Sequence, residues 1–212
     1  AYAHNLFAGT LNIANSGGAL APDPRQTPYF KPHSTGEIRL HGFQWGDMRF
    51  CNNLFAFDAT RRKKSAGTGR YSNDHMIPNV GFDLNLYQKA TLPVAAAGNV
   101  YLKDTPAYAA ETNAIARADF DPGIKLVEKS DGWYLELNID SRWAAEKTRK
   151  LVTTELLGKA VIPNQPFENP DGTPIRVDTD YFGKKRNANN PFPGPFEISK
   201  TGTQTIKVWP KQ

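Results

Sequence analysis

An asparagine followed by an aliphatic and then an aromatic residue recurs along the chain, in triplets that begin at Asn5, Asn53, Asn85 and Asn99. The first two triplets are 48 residues apart, within the ~20 to 50 residues typical of stacked repeats. When strands stack ~4.8 Å apart, side chains of one type form ladders, and an Asn amide both donates and accepts hydrogen bonds along such a ladder. The pattern predicts a right-handed parallel β-helix; chance recurrence in an Asn-rich β-protein is the alternative.

In a β-helix, Asn5, Asn53 and Asn85 are expected to point into the solenoid or to cap its corners. The aliphatic and aromatic residues that follow Asn5 and Asn53 are expected to begin strands that stack in parallel. Asn suits a corner because it tolerates backbone angles that most residues avoid.

The C-terminal half has a different pattern. The stretch "IKLVEKSDGWYLELNID" predicts a β-hairpin with Asp131-Gly132 at its turn. Its apolar residues alternate with polar ones over the second strand, as expected for a sheet with one buried face; they are Trp133, Leu135, Leu137 and Ile139. The next stretch is ambiguous, since "SRWAAEKTRKL" fits a short helix capped by Ser141 while "KLVTTELLGKAVI" fits a strand equally well.

These patterns divide the chain into three parts. Residues 1–91 are predicted to form parallel β-helix coils, and residues 92–160 an antiparallel β decoration. Residues 161–212 are predicted to form strands and a tail that close the solenoid. The predicted fold class is mostly β, a partial right-handed parallel β-helix with an antiparallel excursion in its C-terminal half.

Composition agrees with many short strands. The 212 residues include 17 Gly and 16 Pro, and 11% are aromatic, which favours strands and turns over long helices. The single cysteine, Cys51, permits no internal disulfide and no Cys-based metal site, and it is expected to be a buried, inert thiol. Four scattered histidines lack metal-ligand spacing, and the EF-hand loop pattern is absent, so neither a metal nor a cofactor is predicted.

The formal charge of +5 is concentrated in "TRRKKSAGTGR" and "GKKRNANN". A polyanionic partner would suit this charge, but neither stretch interleaves aromatic residues as a single-strand binding groove does. Solvated loops are the preferred interpretation, and no nucleic-acid partner is predicted.

No apolar run approaches the ~20 residues of a membrane span, so no membrane partner is predicted either. The chain starts without Met inside a strand-like pattern, which suggests a processed protein or the C-terminal part of a longer one.

Three head segments, "AYAHNLFAGTLN", "RQTPYFKPHST" and "GDMRFCNNLF", resemble the later coils of glycoside hydrolase family 120, the β-xylosidases. The tail "IRVDTDYFGKKRNANNPFPGPFE" resembles a closing signature of right-handed β-helix carbohydrate-active enzymes. The resemblance implies a plant cell-wall oligosaccharide or polysaccharide substrate and an extracellular or periplasmic protein. It also places the catalytic carboxylates before Ala1, on missing N-terminal coils of the same parent protein, so the catalytic residues are unknown.

Stacked coils suit glycoside hydrolysis, because carboxylates on adjacent coils approach the ~5 to 5.5 Å separation of a retaining glycosidase. Asp23 and Asp47 are weak candidates for such a pair. Turn formation is the stronger interpretation of both, since Asp23 lies between prolines and Asp47 follows Gly46.

Sugar-binding candidates lie in two loops. In "RQTPYFKPHST", Arg25, Tyr29 and His33 combine an aromatic face with donors for hydroxyl groups, although an ordinary surface loop has the same composition. In "YSNDHMIPN", Asp74 and His75 are candidates to orient a substrate hydroxyl, with a structural role as the alternative.

Three functions follow from these observations. The first is part of a β-xylosidase-like glycoside hydrolase with a retaining mechanism. The second is a non-catalytic carbohydrate-binding or structural module with Tyr29, Trp45 and Tyr71 as stacking platforms. The third is a polysaccharide lyase or epimerase, for which the basic loops would contact acidic uronates.

Overall fold

The computed structural model describes residues 1–8, 26–42, 44, 46–57 and 84–210. Their strands are β1 (Tyr2–Ala3), β2 (Leu6–Ala8), β3 (Gln26–Phe30), β4 (Glu37–Gly42), β5 (Met48–Cys51), β6 (Leu54–Phe57), β7 (Val94–Ala97), β8 (Val100–Lys103), β9 (Ile115–Arg117), β10 (Lys125–Lys129), β11 (Gly132–Ile139), β12 (Lys159–Ala160), β13 (Gln165–Pro166) and β14 (Gly202–Pro210). The helices are a 3₁₀ helix (Leu84–Lys89), α1 (Trp143–Glu146) and α2 (Thr154–Leu157). The predicted β-rich class is confirmed, and no helix in these ranges is long and apolar enough to cross a membrane.

Two parallel sheets run side by side through the N-terminal half. One has the strand order β1-β5-β7 and the other β2-β6-β8-β9. Their registers match the sequence triplets, with Leu6 beside Leu54 and Leu54 beside Val100. The predicted parallel stacking of the strands after Asn5 and Asn53 is therefore confirmed. Parallel pairing continues to Arg117, and the domain boundaries at residues 91 and 160 stay predictions.

Each turn between the two sheets is a two-residue corner. Its first residue has a positive φ, at His4 (55°), Asn52 (56°) and Gly98 (70°). Few residues adopt this left-handed conformation readily, and Gly, Asn and His are among them. The second residue is always Asn, and the chain then enters the second sheet.

These second residues form the Asn ladder, defined here as Asn5, Asn53 and Asn99 with Glu111 at its end. Asn5 Nδ2 donates to Asn53 Oδ1 at 3.2 Å, and Asn53 Nδ2 donates to Asn99 Oδ1 at 3.0 Å. The backbone N–H groups of Asn5 and Asn53 donate to the same two oxygens, each at 2.9 Å. The predicted inward position of Asn53 is confirmed, since its residue is 0% exposed.

The expected ladder position of Asn85 is wrong. Asn85 lies in the 3₁₀ helix, where its Oδ1 accepts from the Ala109 N–H and its Nδ2 donates to the Ala107 carbonyl. It therefore ties two loops together, and Asn99 is the third rung instead.

The second sheet carries different side chains on its two faces. Toward the first sheet, the rings of Phe7, Phe55 and Tyr101 stack with centroids 5.0 Å apart at each step. On the other face, Leu54 and Val100 pack in a separate core with residues of β11. Both faces are apolar, as expected for a parallel sheet covered on two sides.

That covering layer is an antiparallel sheet with the order β10-β11-β14. The predicted hairpin is confirmed, with Lys129 paired to Gly132 across the turn. Leu137 and Ile139 are buried against the parallel sheet, whereas Trp133 near the hairpin tip is 36% exposed. The segment left open between helix and strand contains α1, α2 and the short strand β12.

The tail signature packs on the corner formed by Asn52. The Gly194 N–H donates to the Asn52 carbonyl at 2.8 Å, and a Cβ at Gly194 would approach Leu54 Cδ1 to 2.6 Å. Arg186 is buried, and its guanidinium donates to four carbonyl oxygens of the same segment, those of Thr179, Phe192, Gly194 and Pro195.

We expect Asn53→Leu to destabilise the protein by about 3 kcal/mol or more, despite its added apolar bulk. The change removes the acceptor of two Asn5 donors and the amide that donates to the Tyr2 carbonyl and to Oδ1 of the buried Asn99, and an unsatisfied buried group costs roughly 1–3 kcal/mol. The matched control is Asn5→Leu on the exposed rung, with an expected cost of about 1 kcal/mol. Equal urea midpoints for the two variants would contradict the importance of the ladder.

We expect Gly132→Val to cost roughly 2–4 kcal/mol. Gly132 has φ of 150°, and a Cβ there would lie 2.2 Å from the Trp209 carbonyl oxygen on β14. Gly183→Ala is the control, because Gly183 has φ of 79° with nothing within 4 Å of a Cβ, so it tests backbone strain alone at about 1 kcal/mol. Thermal unfolding of both variants checks the comparison, which fails if Gly132→Val is the milder change.

Candidate functional site

The described sugar-binding candidates lie on the hairpin formed by β3 and β4. Tyr29 is half-buried on β3 and pairs with Arg39 on β4. His33 lies in the connecting turn with φ of 54°, and the Lys31 N–H closes this turn by donating to the Gly36 carbonyl at 2.8 Å. The hairpin places an aromatic ring and an imidazole on one projecting element.

The hairpin docks on the segment after β12. His33 Nε2 lies 3.0 Å from Glu168 Oε1, with side chains 44% and 22% exposed. Arg39 Nη1 also donates to the Ile162 carbonyl at 3.4 Å. The imidazole and carboxylate are close enough to orient one another and open enough to meet the hydroxyl groups of a sugar.

Both carboxylate oxygens of Asp47 already have partners. Arg49 Nη1 donates to Oδ1 at 2.7 Å, and the Val161 N–H donates to Oδ2 at 2.7 Å. Asp47 also has φ of 54°, as expected for a residue that forms a turn. This geometry favours the structural interpretation of Asp47 over a catalytic one.

The other candidates lie outside the described residues. They are Asp23, Arg25, Asp74 and His75, together with the proposed stacking residues Trp45 and Tyr71. Within the described ranges, no three His, Cys, Asp or Glu residues converge as a metal site would require.

A buried acid that sequence reasoning missed ends the Asn ladder. The Asn99 N–H and Nδ2 donate to the two oxygens of Glu111, at 2.8 and 2.9 Å, and the Tyr101 hydroxyl donates at 2.7 Å. Burial raises the pKa of Glu111, while the bonds from Asn99 and Tyr101 oppose that rise. Both Asn99 N–H groups and the Tyr101 hydroxyl donate to this carboxyl, which suits its ionised form, so Glu111 serves as a ladder terminus.

Burial also shifts the pKa of two further groups, His4 at the first corner and Cys51 at the end of β5. Burial, with a smaller contribution from the Arg186 charge, lowers the pKa of His4 to about 3. Burial also raises the pKa of the Cys51 thiol to about 11, and the expected buried, inert thiol is confirmed as buried. Neither group has the pKa of a catalyst near neutral pH.

A second open feature is the aromatic groove, of about 560 Å³, where the antiparallel sheet meets the tail. It is lined by Asn5, Leu6, Leu126, Trp133, Leu135, Tyr181, Pro195, Phe196, Val208 and Trp209. Trp133 on β11 faces Trp209 on β14 in the sheet register, and Trp209 is 56% exposed. Alternation in the hairpin pointed to Trp133, but no local pattern linked it to Trp209.

Comparison with known proteins gives one likeness across nearly the whole chain. No protein-family model and no curated protein matches it. A solved complex of XylC with xylose resembles 98% of this chain, with a TM-score of 0.72 and 27% sequence identity. The match extends over 32% of the XylC chain, so this chain spans about a third of that protein's length.

The buried His4 generates a prediction about acid stability. Because its pKa is lower in the folded protein than the usual 6.5, the unfolded chain binds a proton that the folded one excludes between pH 6.5 and about 3. Stability should therefore fall with pH below 6.5, by up to about 1.4 kcal/mol per pH unit from this residue. We expect His4→Asn to remove this slope, since Asn52 already occupies the equivalent corner. Urea unfolding from pH 4 to 7 tests the difference, and parallel profiles for both proteins would contradict it.

Proposed function

We propose that this chain is part of a glycoside hydrolase that acts on xylose-containing plant cell-wall glycans, with a β-xylosidase-like retaining mechanism. The observation that carries the proposal is the likeness of 98% of the chain to XylC in complex with xylose. The head segments that resemble family 120 support the same assignment, as does the tail that resembles a closing signature of right-handed β-helix carbohydrate-active enzymes. The match covers 32% of XylC, so the proposed activity is that of a whole protein of which this chain forms one part.

We propose further that the two parallel sheets are coils of a right-handed parallel β-helix. Support comes from three successive strand, corner, strand passages in matched register, β1 to β2, β5 to β6 and β7 to β8. Such stacking brings equivalent positions of adjacent coils within about 5 Å, the spacing that a pair of retaining carboxylates needs.

The catalytic pair is proposed to lie on coils other than residues 1–212. Support comes from two described acids whose oxygens already have partners: Glu111 ends the Asn ladder, and Asp47 binds Arg49 and the Val161 N–H. In this proposal the chain contributes sugar contacts through the β3–β4 hairpin. The oligosaccharide is its partner, and an extracellular or periplasmic location belongs to the same proposal.

A non-catalytic carbohydrate-binding module is the second candidate. The exposed pair of Trp133 and Trp209 favours it, because aromatic faces stack on the apolar faces of pyranose rings.

We expect residues 1–212 not to hydrolyse p-nitrophenyl β-xyloside, whereas the intact gene product should hydrolyse it. In the intact protein, Tyr29→Ala and His33→Ala are expected to lower kcat/KM by about tenfold while leaving the unfolding midpoint unchanged, since both side chains lie on a surface hairpin. Leu40→Ala, an exposed residue of the same hairpin, is the control.

Steady-state kinetics separates the candidates. Robust turnover by residues 1–212 would contradict the placement of the catalytic acids outside this chain. Asp23 and Asp47 would then be the candidates for the catalytic pair. An intact protein that binds xylo-oligosaccharides but cleaves no aryl glycoside would favour the binding module.

A further inference from the structure

An acid that no sequence pattern singled out lies beside the β3–β4 hairpin, on a turn that the core holds in place. Phe167 and Ile175, on either side of this turn, pack against the buried cluster around Cys51. The backbone of Glu168 also forms an antiparallel bridge with Pro174. Glu168 therefore projects from a fixed backbone, as a side chain that positions a ligand requires.

His33 reaches this turn from the hairpin. Its Nε2 lies 3.0 Å from Glu168 Oε1, and an ionised carboxylate can only accept, so the imidazole donates its Nε2–H. Gly172 lies against the ring, since a Cβ at this glycine would be 3.7 Å from His33 Nε2. A neutral imidazole that donates through Nε2 keeps Nδ1 as an acceptor.

The polar atoms left over at this pair are acceptors. Within the described ranges, no hydrogen bond engages His33 Nδ1 or Glu168 Oε2. Asp171 adds a second carboxylate in the same turn. Bonds from the hydroxyl and the N–H of Thr173 lower the pKa of Asp171, and a smaller contribution from His33 shows that Asp171 and His33 are within electrostatic reach. The turn therefore presents lone pairs and negative charge.

Two cations belong to the part of the hairpin that the structure describes. Arg39 donates to the Ile162 carbonyl at 3.4 Å, so part of its guanidinium is already bound. Lys31 is the other cation, and among the described residues neither one forms an ion pair with Glu168 or Asp171. The hairpin cations thus leave the negative charge of the turn unpaired.

These leftover groups discriminate between classes of sugar. A sugar hydroxyl can donate to the imidazole Nδ1 or to the free carboxylate oxygen. The carboxylate of a uronic acid has no hydrogen to donate, and it would meet two like charges, which disfavours its binding.

We infer that Glu168 and His33 form one sugar-binding pair that favours neutral, hydroxyl-bearing sugars over uronic acids. The inference rests on the proposed function, because it takes the β3–β4 hairpin as a sugar contact. It adds a specificity-determining residue that is 135 residues away from His33 in the sequence. It also opposes a lyase or epimerase that acts on uronates.

The test uses three methyl β-glycosides that share the same ring hydroxyl groups and differ only at C5. The xyloside carries hydrogen there, the glucoside a neutral hydroxymethyl group and the glucuronide a carboxylate. Each is titrated at pH 8, where an ordinary imidazole is neutral, into residues 1–212 with isotope-labelled histidine. The ring resonances of His33, identified by their loss in His33→Ala, report binding at the pair.

We expect the glucuronide to bind at least about tenfold more weakly than the xyloside and the glucoside. Glu168→Gln keeps the shape of the side chain and removes its charge, so it should bring the three affinities within about threefold of one another. The matched control is Glu37→Gln, which removes the same charge from an exposed residue of the hairpin and should leave the ratio unchanged. Circular dichroism checks that each variant is folded.

A sugar-free measurement tests the pair itself. We expect the His33 Nε2–H proton to give a downfield resonance protected from exchange, and Glu168→Ala to abolish it, because the acceptor is then absent. Loss of this resonance in the native protein would contradict the contact between the two side chains.

A xyloside to glucuronide ratio that Glu168→Gln leaves unchanged would overturn the inference. A preference for the glucuronide would overturn it too, and would assign the selectivity to Lys31. So would unchanged His33 resonances with all three glycosides in both residues 1–212 and the intact gene product. The proposed activity can fail separately, since an intact protein with the expected ratio that cleaves no aryl xyloside contradicts hydrolysis alone.

Discussion

The positive φ at the first residue of each corner is the constraint on which the parallel sheets depend. It turns the chain so that the next side chain, always Asn, points along the stack, while its backbone N–H reaches the neighbouring rung. Because the amide and the backbone bind the same oxygen, a slip of one residue would break two bonds and move the apolar side chains to the wrong face. Backbone conformation, polar satisfaction and strand register are therefore specified together by two residues.

The register set at the corners then determines what the rest of the molecule can cover. Phe7, Phe55 and Tyr101 fall on the inner face, and Leu54 and Val100 fall on the outer face. The outer face requires a second layer, which β11 supplies and which the tail completes where Gly194 approaches Leu54. The C-terminal half thus has a structural role before any functional one, since it buries a sheet face that would otherwise contact water.

Local sequence patterns predicted those strands and turns that depend mainly on neighbouring residues. The triplets at Asn5 and Asn53 gave parallel strands, and alternation with Asp-Gly gave the hairpin. The triplet at Asn85 failed because the residue before it is Leu84, which has no ready access to positive φ, whereas His4, Asn52 and Gly98 precede the true rungs. The corner residue was therefore the discriminating signal, and the triplet alone was insufficient.

Contacts between distant segments lay beyond such patterns. His33 meets Glu168 across 135 residues, and Trp133 faces Trp209 only because β14 returns beside β11. Glu111 ends the ladder from a turn with no triplet of its own, so its role follows from its three donors and not from its sequence context. The contacts of the acidic side chains also show which acids contribute to stability and which are accessible. Glu111 and Asp47 are held by the Asn ladder and by an ion pair, whereas Glu168 stays partly exposed beside His33 of the β3–β4 hairpin, in the kind of loop region where functional residues concentrate.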